Sequence, residues 1–95
     1  MMILVFDHSI IGFARWCRRR LELLGYKVVI PPTGVMKHDM LLEEYAERVN
    51  GIIVTTDKSI KYKHKVLLDM PTDKKPKYEK WYTELIKKLS NYKTF

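Results

Sequence analysis

The sequence predicts an α/β fold: a single three-layer domain over residues 1–95, with a four-stranded, mostly parallel sheet carrying helices on both faces. Three observations lead there. Short apolar or β-branched runs bounded by turn residues alternate with longer segments whose apolar residues recur at helical spacing. The runs "MILVF" and "IIVT" lack the in-out alternation of a half-exposed strand, as expected for strands covered on both sides. The segments between strands suit right-handed crossovers between parallel neighbours.

Each element has a local reason. Residues 2–6 form the first strand and stop at Asp7. Ser9 is placed to cap a helix starting near Ile10, in which Ile10, Ala14, Cys17, Leu21 and Leu24 make one buried stripe. Gly25 ends that helix, and "YKVVI" (26–30) is the second strand. A loop, "PPTGVMKHD" (31–39), leads to a helix over about 40–49 with Leu41, Leu42, Tyr45, Ala46 and Val49 inward. Asn50-Gly51 is a turn dipeptide before the third strand, 51–55. Residues 57–64 read as a short turn or helical piece, and 65–70 as the fourth strand. Pro76 suits the first turn of a last helix with Tyr78, Tyr82, Leu85, Leu89 and Tyr92 on its apolar face.

Composition narrows the setting. Hydrophobic residues are 46% and charged residues 31%, and no apolar run approaches the roughly 20 residues that span a bilayer. The opening apolar run is too short for a signal-peptide core, and the single Cys17 has no internal disulfide partner. A cytoplasmic protein without a membrane partner is the expectation. Eighteen Lys and Arg against eleven Asp and Glu give a net charge of +7, and the positive charge is bunched. "ARWCRRR" holds four arginines in six positions, and residues 58–65 and 74–80 hold eight lysines. That bunching points to a nucleic acid. A lysine-rich surface serving solubility is the plainer account.

The chemistry lies where strands end. Strand one belongs in the interior beside strand three, which sets Asp7 and Asp57 on neighbouring strands at one edge of the sheet. Two carboxylates held close repel, and a divalent cation between them removes the penalty. Asp39, at the start of the second helix, belongs to the same end; Glu43, one turn on, and Asp69 are further oxygen donors. Such a set suits Mg²⁺ or Mn²⁺. The competing account is capping: Asp7, Asp39 and Asp57 each precede a helical or turn segment. Arg15, Arg18, Arg19 and Lys58 are candidate phosphate contacts, although Glu22 is spaced to pair with the arginines. Trp16 either stacks on a base or covers the sheet, and Cys17 is core.

His8, His38 and His64 sit beside charged residues and read as exposed. His8, His38-Asp39 and Asp57 spell the ligand order of HD-type phosphohydrolases, but that fold is all-helical. The four scattered glycines form no phosphate-binding loop.

"ILVFDHSIIGFARWCRRRLELLGYKV" and "KHDMLLEEYAERVNGIIVTTDKSI" together resemble small PIN-like nuclease domains, in particular those fused to the C-terminus of Mut-type exonucleases. The likeness covers roughly residues 2–70. It implies the PIN-like fold, a Mg²⁺ or Mn²⁺ site on Asp7, Asp39 and Asp57, and cleavage of RNA; some members of the superfamily are toxins of toxin–antitoxin pairs, so an antitoxin-like protein is an implied partner. Ser59 stands where relatives often carry another Asp, and Ile60 where an aromatic is common, so a domain that only binds RNA or protein is the alternative. Receiver-like signalling domains also carry acids after strands one and three, but they pair two adjacent acids after the first, where this chain has Asp7-His8. The aromatic C-terminal helix leaves open whether it packs inward or against a second copy.

Overall fold

Parallel pairing of the first and third strands organises the molecule. The computed structural model describes residues 2–31, 39–70 and 77–92. Strands β1 (Ile3–Phe6), β2 (Lys27–Val29), β3 (Ile52–Thr55) and β4 (Lys65–Leu67) form one sheet in the order β2-β1-β3-β4. All three pairings are parallel, with Leu4 opposite Ile52, Val5 opposite Ile53 and Phe6 opposite Val54 at the centre. Every residue of β3 is buried, as are Leu4, Val5 and Phe6.

Side chains alternate across that sheet and divide the core in two. Leu4, Phe6, Ile52, Val54 and Val66 face helices α1 (Ile11–Leu23) and α3 (Tyr78–Leu89) in the larger cluster. Val5 and Ile53 face helix α2 (Asp39–Val49), meeting Leu42, Ala46 and Ile60. The three-layer α/β architecture expected from the sequence is therefore present. Among the described residues, no helix is long and apolar enough to cross a membrane.

Several boundaries and faces differ from the sequence reading. A 3-10 turn over His8–Ile10 precedes α1, and its cap is Asp7, whose Oδ1 accepts from the Ser9 N–H at 3.4 Å. Ser9 is thus the capped residue. Leu24 is 58% exposed because α1 has already ended, whereas Phe13 is fully buried and extends the stripe. In α2 the inward stripe is Leu42 and Ala46 flanked by Tyr45 and Val49, and Leu41, about 100° round from Leu42, turns outward. In α3 the buried centre is Trp81, Leu85 and Leu89, with Tyr78, Tyr82 and Tyr92 at its margin. Residues 57–64 form a non-helical strap, and β4 closes at Leu67. The 32–38 loop, with His38, and the Pro76 position lie outside the described residues.

Two helices end in the same way. After α1, Gly25 at φ 96° lets its N–H reach Glu22 O and the Tyr26 N–H reach Leu21 O, both at 3.0 Å. After α2, Asn50 at φ 56° takes the same place, with Asn50 N–H on Glu47 O and Gly51 N–H on Ala46 O. Both are Schellman-type stops that satisfy the last carbonyls. Gly51 has a second duty. A Cβ there would lie 2.8 Å from Val5 Cγ2 and 3.1 Å from Ile3 O, because α2 hands over to β3 directly against β1.

The lone thiol is structural. Cys17 is fully buried, its Sγ–H points at Ala14 O at 3.8 Å, and burial pushes its pKa from 9.0 up to about 12. A raised folded-state pKa stabilises the fold below pH 9, and that contribution is lost as pH climbs from 9 toward 12.

Two outcomes follow. Gly51→Ala overpacks the β1–β3 junction and lowers unfolding free energy by about 1–3 kcal/mol, read from the urea midpoint. Between pH 9 and 12 the urea midpoint of the native chain falls more steeply than that of Cys17→Ala, because only the native chain loses the neutral buried thiol.

Candidate functional site

The site is built where the two central strands end. The β1–β3 ladder continues past Phe6 through a hydrogen bond from the Asp7 N–H to Val54 O, at 3.0 Å. This sets Asp7 opposite Thr55, on the sheet face that α2 covers. The strand order reverses between β1 and β3, so this edge is the switch point where α/β sheets open a crevice for ligands.

Thr55 joins the two aspartates. It is the one buried polar side chain among the described residues, at 0% exposure. Its hydroxyl donates to Asp7 Oδ2 at 2.8 Å and accepts from the Asp57 N–H at 3.0 Å. A single hydroxyl therefore spans from one strand-end acid to the backbone of the other. Asp57 is shaped by a turn of its own: its Oδ1 accepts from the Ser59 N–H at 2.8 Å and from the Ser59 hydroxyl at 2.7 Å. The turn leads to Ile60, which is fully buried under α2 and anchors the strap. Both aspartates are half-buried, each with one oxygen committed to a local amide and both at one edge.

The other predicted residues take distinct places. Asp39 opens α2, the helix covering the same face, while its side chain lies outside the described residues. Glu43 is drawn to the strap, its Oε1 accepting from the Lys61 N–H at 2.8 Å. Asp69 is exposed two residues beyond β4, its backbone engaged by Glu84 Oε1 and the Trp81 indole. Among the described residues, no group of three or more His, Cys, Asp or Glu side chains converges on a common point. Arg15, Arg18 and Arg19 are exposed along α1, with Arg18 Nε 3.5 Å from Glu22 Oε1, and Lys58 is exposed in the turn after Asp57. His8 is exposed as expected; His64 is half-buried with its ring edge-on to Tyr62.

The donor chemistry at the strand ends fits a hard divalent cation. Mg²⁺ binds through one or two carboxylates and keeps several waters, so Asp7 and Asp57 are the residues that could hold one. The Thr55 hydroxyl fixes the orientation of the Asp7 carboxylate. A separate cleft of about 530 Å³ lies between α2 and the strap, with Glu43 and Glu47 on one wall and Lys61, Tyr62 and Lys63 on the other. Neither Asp7 nor Asp57 lines it. Burial, and secondarily the Glu47 charge, raise the pKa of Tyr62, whose hydroxyl donates to Gly51 O.

The sequence marks Thr55 only as the β-branched end of its strand, with no role in the site, although it is the one hydroxyl in a strand of otherwise apolar residues, two positions before Asp57. No protein-family model matches the chain, and no curated protein or solved structure gives a significant match.

Thr55→Val keeps the shape and removes the hydroxyl, leaving Asp7 Oδ2 and the Asp57 N–H without their shared partner. The expected loss is about 1–3 kcal/mol of unfolding free energy by urea titration.

Proposed function

We propose that this protein is a Mg²⁺- or Mn²⁺-dependent endoribonuclease of PIN-like type. The observation that carries the reading is the buried Thr55 hydroxyl, which donates to Asp7 and accepts from the Asp57 amide at the β1–β3 switch point. A buried hydroxyl that joins one strand-end carboxylate to the backbone of the other strand end goes beyond what capping requires, and it keeps the two acid-bearing segments together.

In this reading Asp7 and Asp57 hold the cation, joined by Asp39 from the start of α2, with Glu43 as a more distant acid. When bound, the ion supplies Lewis-acid activation of water and offsets negative charge at a phosphodiester. The chain's own residues do the rest. Thr55 keeps Asp7 oriented and the Asp57 backbone in place. Ser59 fixes the rotamer of Asp57 through two hydrogen bonds. Arg15, Arg19 and Lys58, all exposed, bind flanking phosphates, and Arg18 joins them by exchanging Glu22 for a phosphate. The net charge of +7 draws RNA to a surface whose acidic edge would otherwise repel it. We place this activity in the cytoplasm, with an antitoxin-like protein as the partner that would restrain it.

A second reading is supported by Ser59. Its amide and hydroxyl both occupy Asp57 Oδ1, which suits a domain that has given up a ligand and only binds RNA or protein.

Asp7→Asn abolishes Mn²⁺-stimulated cleavage of single-stranded RNA while leaving the fold intact by circular dichroism. Equal cleavage by the purified variant would remove the catalytic reading. Calorimetric titration with Mn²⁺ separates the two alternatives, since the binding-only domain gives no saturable heat.

A further inference from the structure

We propose that the pocket between α1 and the start of α3 is a base-stacking subsite for single-stranded RNA, built from Trp16 and Tyr78 and flanked by lysines. The inference rests on the nuclease reading for its choice of RNA, and on separate residues for its geometry. The pocket holds about 470 Å³ and is lined by Trp16, Lys77, Tyr78, Glu79 and Lys80. That volume lies within the range of small-ligand clefts, roughly 300–1,000 Å³.

Core packing accounts for only part of the aromatic cluster here. Phe13 and Trp81 are buried and fill the space between the helices and the sheet. Trp16 and Tyr78 are half-buried, 5.8 Å apart between ring centroids, and keep surface on the pocket. Their inner sides are already supported, Trp16 by Phe13 at 6.2 Å and Tyr78 by Trp81 at 6.2 Å, both near-parallel. The exposed Arg20 guanidinium lies over the Trp16 ring, 4.3 Å from its centroid, so a base stacking on that face takes the place of Arg20. The ring planes are preorganised by their aromatic neighbours, so a base that displaces Arg20 orders little in the rings themselves. Exposed Lys77 and Lys80 at the rim match the phosphates on either side of a stacked base.

The position joins this pocket to the acidic edge. Gly12, in the first turn of α1, lies against Tyr78: a Cβ there would fall 2.6 Å from the Tyr78 hydroxyl. The first turn of α1 follows directly from Asp7 through the His8–Ile10 turn. Helix α3 runs back from the same edge, since Tyr92 beyond its end donates to Lys65 O at the start of β4. Trp16 therefore sits roughly 8 Å along the helix axis from Ile11 at the carboxyl end of the sheet. A strand crossing the aspartates and turning onto the α1–α3 face would place a base in the pocket and its phosphates against Lys77, Lys80 and Arg19.

The test measures binding without metal. Anisotropy of a 5′-labelled rU ten-mer and of an abasic ten-mer is followed against the full chain in EDTA. The uridine oligomer is expected to bind saturably and about ten-fold more tightly than the abasic one, as stacking of one base provides. Trp16→Leu removes that preference. Gly12→Ala does so independently by displacing Tyr78 in a position where Ala favours the helix, and in both variants the affinity for the abasic oligomer stays within about two-fold. Equal binding of the two oligomers by the native chain overturns the proposal. So does a preference that persists in either folded variant, or sedimentation showing that two copies pair through this face and exclude the oligomer. No bond is cut in EDTA, so a failure here leaves the nuclease reading standing, and a failure of the Mn²⁺ assay leaves this subsite standing.

Discussion

The pairing of β1 with β3 is the constraint from which the rest follows. Both strands lie in the interior of a parallel sheet with apolar layers on either side, so their backbone groups have no water to turn to and must pair with each other. The register that achieves this also sets Asp7 opposite Thr55. A buried threonine hydroxyl needs partners of its own, because leaving it unbonded in such surroundings costs about 1–3 kcal/mol. It finds them in Asp7 and in the Asp57 amide. Fold and site thus share one hydrogen-bond network: whatever disturbs the central pairing disturbs the acids.

Charge is distributed to match. Asp7 and Asp57 stand at the carboxyl edge of the sheet, while the basic residues of α1 lie on its outward face. Helix α1 serves two purposes without conflict because its period separates them. Phe13, Ala14, Cys17 and Leu21 point into the sheet, and Arg15, Arg18 and Arg19 point to solvent. In the proposed reading, a polyanion would meet that cationic face, which would raise encounter rates.

The α1–α3 interface shows how a structural device can leave something over. Aromatic residues join the two helices because large flat rings bury much area with few rotatable bonds. Phe13 and Trp81 are consumed in that task, and the Trp81 indole is further tied to Asp69 O at 2.9 Å. Trp16 and Tyr78, at the rim, retain part of their surface at a pocket that also carries lysines. The boundary between core and surface runs through the aromatic cluster.

By itself the sequence determined the fold class, the four strands and three helices, and the neighbouring of strands one and three, because hydrophobic period and turn residues are local signals that set which segments must be covered on both faces. It also singled out Asp7 and Asp57, since a carboxylate closing a buried strand is conspicuous in one dimension. Tertiary structure alone decided that Thr55 stands between them, that Ser59 clasps Asp57, that Glu43 turns to the strap, and that Leu24 and Leu41 face outward while Phe13 and Trp81 fill the core. Those outcomes depend on strand register, on where each helix stops, and on the phase at which it meets the sheet. All three are set by contacts between residues far apart in the chain, and no local pattern encodes them.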